Sequence, residues 1–223
     1  MKLAFPPLPT PVASTGETPA RRWLLSPSLL PVAEQQKRAP EIQPLTRTQI
    51  LVVMGLTAVV LLLVTKVWLQ FSKSLLPLSW NAVALPLGLG LGLTITAASS
   101  LVYRLWPAYR RSADLYLELI LKPLLWPDLI WLGLLRGLSE ELLFRGVMLP
   151  AFGLDLAAIV VSSLCFGILH LSGSEQWPYV VWATAVGLLL GYSALLTGNL
   201  LVPIVAHICT NLVSSCFWKL RHS

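Results

Sequence analysis

Apolar runs of about 20 residues recur along this 223-residue chain, and they restrict the fold more than any other feature. The hydrocarbon core of a bilayer is about 30 Å thick, which a helix of about 20 apolar residues crosses. Inside it every backbone N–H and C=O must be satisfied within the protein, so only helices and closed barrels span. A barrel would alternate polar and apolar residues in short segments, and none of these runs does. The chain is 56% hydrophobic and 12% charged, about half the charge of an ordinary soluble domain. The expected fold class is therefore all-α, a polytopic membrane helix bundle of about six transmembrane helices around a central polar cavity.

The spans fall near residues 49–71, 80–103, 127–148, 156–171, 177–196 and 200–220. Lys66 lies near the far end of the first, where its amine reaches the interface. Gly88, Gly90 and Gly92 suit close helix packing in the second. Between the second and third spans, Glu118 and Lys122 stand one helical turn apart, which fits an interfacial helix over 115–125. Pro127 and Asp128 suit the first turn of the next helix, and Pro150 and Gly153 suit its close. Trp177 and Trp182 suit a membrane-interface belt. The cysteines Cys165, Cys209 and Cys216 lie in apolar segments without paired spacing, so they read as packing thiols.

Residues 1–45 differ in kind. Pro6, Pro7, Pro9, Pro11, Pro19, Pro27, Pro31, Pro40 and Pro44 interrupt a stretch with no sustained apolar period. Such a segment buries too little surface to offset its ordering entropy, and the expectation is a disordered tail. It lacks the apolar core and small-residue cleavage site of a signal peptide, and Arg21-Arg22 has no apolar region directly behind it. The expected organisation is the tail (1–45), two helices with a basic connector (46–124), and a second bundle (125–223).

The formal charge is +6. The basic residues flank the apolar runs and form no stripe with interleaved aromatics, so topology is the reading rather than nucleic-acid binding. Arg21, Arg22, Lys37, Arg38 and Arg47 precede the first span; Arg104, Arg110 and Arg111 follow the second; Lys219 and Arg221 close the chain. Six spans put all three groups on one side, with both termini cytoplasmic and Lys73 the exception.

Three polar clusters stand inside the apolar runs: Glu140–Arg145, Phe166–His170 and His207–Asn211. An ionisable group at bilayer depth costs roughly 2.5–3.5 kcal/mol even on insertion scales, and persists where it pairs, faces a cavity or does chemistry. Glu141 and Arg145 are one turn apart in the favoured order, which predicts a structural ion pair. Glu140 projects about 100° away, on the side of Phe144, and is the freer carboxylate for general-base work. Arg136 is its neighbour one turn upstream, in the less favoured order. His207 and Asn211 share a helical face and are candidate donors to an oxyanion. Their bland reading is an interhelical hydrogen-bond pair.

This ordered set, Glu-Glu-x-x-x-Arg, Phe-x-x-x-His and His-x-x-x-Asn, resembles the CAAX protease and bacteriocin-processing (Abi) family, which includes the type II CAAX prenyl endopeptidases. The resemblance covers roughly residues 125–220. It implies peptide-bond hydrolysis within the membrane, with Glu140 and His170 activating a water and His207 and Asn211 stabilising the oxyanion. The expected cofactor is none. A zinc ion held by Glu140, His170 and His207 is the alternative, although no His-Glu-x-x-His helix is present. Expected partners are the lipid bilayer and a peptide or membrane-protein substrate, prenylated or not, in a bacterial cytoplasmic membrane. The rival functions are a non-catalytic scaffold or bacteriocin-immunity protein, and a small solute carrier. No inverted repeat of the polar clusters supports the carrier.

Deletion of residues 1–45 is expected to leave membrane insertion and catalysis intact. Limited proteolysis should trim the purified protein to a stable core beginning near Thr46. Resistance of the tail to protease, or loss of activity on its removal, would mark it as a docked element.

Overall fold

The computed structural model describes residues 45–222, within the compact unit Pro44–Ser223. The expected tail lies outside the described residues apart from Leu45, which is exposed. Every regular element among them is helical. Helix α1 is Arg47–Ser72, α2 is Ala84–Leu105 and α3 is Pro107–Leu121. Helix α4 starts as Asp128–Glu141, continues through π-helical turns over Leu142–Met148 and ends as Leu149–Ala151. Then come α5, Leu156–Ile168, α6, Trp177–Thr197 after a 3-10 turn, and α7, Leu201–Arg221.

Four helices are long and apolar enough to cross a membrane: α1, α2, α6 with its preceding turn, and α7. The sequence predicted six. Helix α5 has 13 residues, about 20 Å at 1.5 Å per residue, short of the hydrocarbon thickness. Helix α4 carries Arg136, Glu140, Glu141 and Arg145, too many charges for a simple span. The outer faces are apolar, with Leu56 61% and Phe71 82% exposed. In water this surface would drive aggregation, whereas in lipid it is the ordinary exterior.

Helix α7 is the hub, with 50% of its apolar window buried against 22% for α1 and α2. Two small-residue pairs bring neighbours onto it. A Cβ at Gly88 would stand 2.7 Å from Val205 Cβ, and one at Gly92 would stand 2.7 Å from the Ala206 carbonyl oxygen. On the other side, a Cβ at Gly133 would meet Leu212 at 2.7 Å and one at Gly137 would meet Ile208 at 2.5 Å. Backbones this close gain dispersion contacts that larger residues would prevent. Gly90, expected to pack with its neighbours, faces open space, because at 3.6 residues per turn it points away from the face shared by Gly88 and Gly92.

Capping and polar ties fix the ends. Thr46 and Gln49 form a reciprocal capping box at the start of α1. Asp128, expected only to complement a helix dipole, also ties α4 to α1. Its carboxylate accepts from Arg47 Nε at 2.7 Å and Nη2 at 2.8 Å, and from the Leu125 N–H at 2.7 Å. Lys219 donates to the carbonyls of Leu121 and Leu124. At the opposite end, Asn199 bonds both backbone groups of Ser79, and the Leu76 N–H donates to Gly146 C=O at 2.8 Å. The interfacial helix begins at Pro107, earlier than the sequence predicted, since proline suits a first turn. Trp177 is 56% exposed, while Trp182 donates to Ser99 at 3.0 Å and joins α6 to α2. The three cysteines are free thiols.

Gly137→Ala is expected to lower stability by about 1–3 kcal/mol through overpacking against α7. Gly90→Ala should be neutral or stabilising by about 0.5–1 kcal/mol, because alanine restricts the unfolded chain and meets nothing. Thermal melting of the two variants in one detergent distinguishes close packing from a general intolerance of helical substitution.

Candidate active site

Helices α4, α5 and α7 bring the three polar clusters together. Glu140 and Glu141 end the regular part of α4, where the π-helical turns begin. Such turns widen the helix by one residue and recur at functional sites. Glu141 and Arg145 are both fully buried and pair at 2.9 Å from Oε1 to Nη1. Arg145 Nη2 donates to Gly187 C=O at 2.8 Å, and its guanidinium lies 4.5 Å over the ring centroid of Phe166. A Cβ at Gly187 would stand 3.2 Å from Nη2 and 3.0 Å from Ser163 Cβ, so the arginine depends on that glycine.

The same Glu141 oxygen also accepts from His207 Nδ1 at 2.8 Å. A carboxylate only accepts, so Nδ1 carries the proton and Nε2 of the neutral ring presents a lone pair. His170 is held in the same tautomer by the Phe166 carbonyl, 2.9 Å from its Nδ1. Both Nε2 atoms face Glu140: His170 at 3.8 Å and His207 at 3.9 Å from Oε2. These separations exceed a hydrogen bond, and Oε2 is buried without a partner. A 3.8 Å separation is one that a water about 2.8 Å from both atoms would span. Three acceptors thus surround a point that lacks a donor.

Glu140 is less free than its azimuth implied. Arg136 Nε stands 3.3 Å from Oε1, so the less favoured order of base before acid does form a pair. The arginine ties down one oxygen and leaves the other facing the histidines. Asn211 Nδ2 is buried without a hydrogen-bond partner. Asn211, His170 and His207 line a cavity of about 120 Å³. Glu140 lines a neighbouring cavity of about 200 Å³ between α1 and α4, and Tyr116 and Arg136 line both. Tyr116 was not singled out from sequence. Its ring stacks on Tyr179 at 4.6 Å and lies 5.6 Å below the Arg136 guanidinium; no polar motif marks it in an interfacial helix.

The charges balance: two carboxylates face two guanidiniums. A zinc ion on Glu140, His170 and His207 would add two positive charges to a neutral buried cluster. Among the described residues, no three His, Cys, Asp or Glu side chains form a group suited to a metal ion. Glu140 Oε2 and the two Nε2 atoms are the ones that would hold such an ion, and no step is routed through it.

Comparison with known proteins follows the same region. Residues 122–213 match the family described as type II CAAX prenyl endopeptidase Rce1-like. The chain is 38% identical over 96 residues to the uncharacterized protein YpbD of Bacillus subtilis (strain 168), covering 43% of this chain. That match spans 48%, about half, of the relative. No solved structure matches the chain.

Glu141→Gln and Arg145→Ala are expected to lower the melting temperature sharply. Removing one partner of a buried pair leaves an uncompensated charge costing about 3–5 kcal/mol. Gly187→Ala should produce a smaller loss by crowding the guanidinium. Circular dichroism melts of the three variants measure this, and unchanged melting of Glu141→Gln would remove the network from the account of stability.

Proposed function

Since residues 122–213 match the Rce1-like family of type II CAAX prenyl endopeptidases, we propose that this chain is an intramembrane endopeptidase. It is an integral membrane protein that hydrolyses a peptide bond with a water held by Glu140 and His170. The observation that carries this reading is the unpartnered Glu140 Oε2 facing two imidazole nitrogens at 3.8 and 3.9 Å in a buried site. Glu141 Oε2, in the structural ion pair, is likewise unpartnered, so what distinguishes Glu140 is the convergence of two imidazole nitrogens on its free oxygen.

In this proposal the water donates one proton toward Oε2 and the other toward His170 Nε2, leaving an oxygen lone pair for the scissile carbonyl carbon. Glu140 takes the proton as the C–O bond forms, and the tetrahedral oxyanion develops beside Asn211 and His207. Asn211 Nδ2 supplies a ready N–H. His207 can supply one at Nε2 only after taking up a proton from solvent, and the added positive charge is then offset by the oxyanion itself. The proton on Glu140 then passes to the leaving amine as the C–N bond breaks. Glu141 and Arg145 are positioning residues, and the reaction requires no metal. The proposed substrates are peptides or membrane-protein tails that approach through lipid, and the proposed setting is a bacterial cytoplasmic membrane with both termini in the cytoplasm. Nucleic acid has no part in it.

Glu140→Gln is expected to abolish cleavage of a quenched peptide library with a smaller loss of melting temperature than Glu141→Gln, because the Arg136 side chain is 25% exposed whereas that of Arg145 is fully buried. Asn211→Ala should lower kcat by about 10²–10³-fold with little change in KM. His207→Ala should lower it similarly, and the double variant should fall well short of the product of the two. Chelator should leave the wild-type rate unchanged. Rate losses that merely track melting temperature would favour the scaffold, and inhibition by chelator reversed by zinc would favour the metal reading.

A further inference from the structure

The basic end of the bundle holds a third cavity that the proposed chemistry does not use. It measures about 190 Å³ and is lined from three helices, with Ser100, Tyr103 and Arg104 from the end of α2 and Ser214, Trp218 and Arg221 from the end of α7 among its walls. Among the described residues, neither arginine has an ion-pair partner. The adjacent Asp114 carboxylate accepts from the Tyr103 hydroxyl at 2.8 Å. The cavity therefore combines two guanidiniums lacking an ion-pair partner with the Ser214 hydroxyl and an indole, while the Tyr103 and Ser100 hydroxyls are engaged by Asp114 and the Thr96 carbonyl.

Its depth is fixed by its neighbours. Arg47, which begins α1, pairs with Asp128 at this end of the molecule, and Ile50 packs in one cluster with Leu121, Leu124 and Trp218. The cavity thus sits where apolar helix surface gives way to charge, the level of lipid headgroups. Guanidiniums bind phosphate oxygens through paired N–H donors, and the Ser214 hydroxyl at the same wall can add one more. We propose that this cavity binds the phosphate of an anionic phospholipid headgroup, with its acyl chains along the exposed apolar face at Phe217. Ser99, Tyr109 and Ser214 line both this cavity and the one holding His170 and His207, so a bound lipid would brace the wall of that pocket. The inference stands independently of the proteolytic reading.

The test titrates dioleoylphosphatidylglycerol into the full-length protein in detergent, reading thermal melting and the lipid retained in native mass spectrometry. Phosphatidylglycerol should raise the wild-type melting temperature and phosphatidylcholine should not. Arg104→Gln/Arg221→Gln should melt as wild type in phosphatidylcholine and bind phosphatidylglycerol roughly thirtyfold more weakly, at about one surface cation's attraction per arginine. Should the double variant fail to fold, each single variant should bind roughly fivefold more weakly. Lys66→Gln/Lys73→Gln removes the same charge at the far end of α1 and should respond as wild type. Three results overturn the proposal: an unchanged response of the arginine variants, an equal loss in the lysine variant, or an equal melting shift from inorganic phosphate.

Discussion

The buried hub on Glu141 supports the rest of the molecule's polar interior. One carboxylate oxygen receives Arg145 from its own helix and His207 from α7. The arginine continues to the Gly187 carbonyl of α6 and the Phe166 ring of α5. Four helices therefore meet through one acid and one base, at a depth where water contributes no alternative hydrogen bonds. The apolar exterior tolerates rotation or sliding of a helix, since lipid is as apolar as leucine. The hub does not, because any shift strands a charge.

The glycine faces complete the same constraint by dispersion. Gly133 and Gly137 admit α7 from one side, and Gly88 and Gly92 admit it from the other. Ile208, which fills the Gly137 notch, is the residue after His207. Packing thus sets the height of the imidazole and Glu141 sets its rotation. His170 gains the same two kinds of restraint, from the Phe166 carbonyl at one nitrogen and from ring contacts with Phe166 and Tyr179. Preorganisation of this sort is what electrostatic catalysis requires.

Much of this was legible in the residues. Apolar run length set the class, and i,i+4 spacing set the Glu141–Arg145 pair. What escaped belongs to tertiary context. Run length alone counted α5 and α4 as spans, whereas one is short and the other is charged through its middle. Helical order made Arg136 an available but less favoured partner for Glu140, and burial leaves both ions so few alternatives that they pair. The π-helical turns after Glu141, the Asp128 tie to Arg47 and the aromatic stack on Tyr116 have no local signature. Each depends on what another helix presents.

The neutrality of the cluster bears on how such a protein can change over generations. Glu140 and Arg136 meet near the rim of two cavities, and their joint loss to neutral residues would leave the remaining charges balanced. Glu141 and Arg145 have no comparable exit, since every replacement must also satisfy His207 and the Gly187 carbonyl. A descendant that abandons chemistry for a purely architectural role should therefore lose the first glutamate early and keep the second glutamate, the arginine and the glycine. Under the proposed chemistry, retention of those three residues in a relative would be a record of folding, whereas the first glutamate would be a record of use.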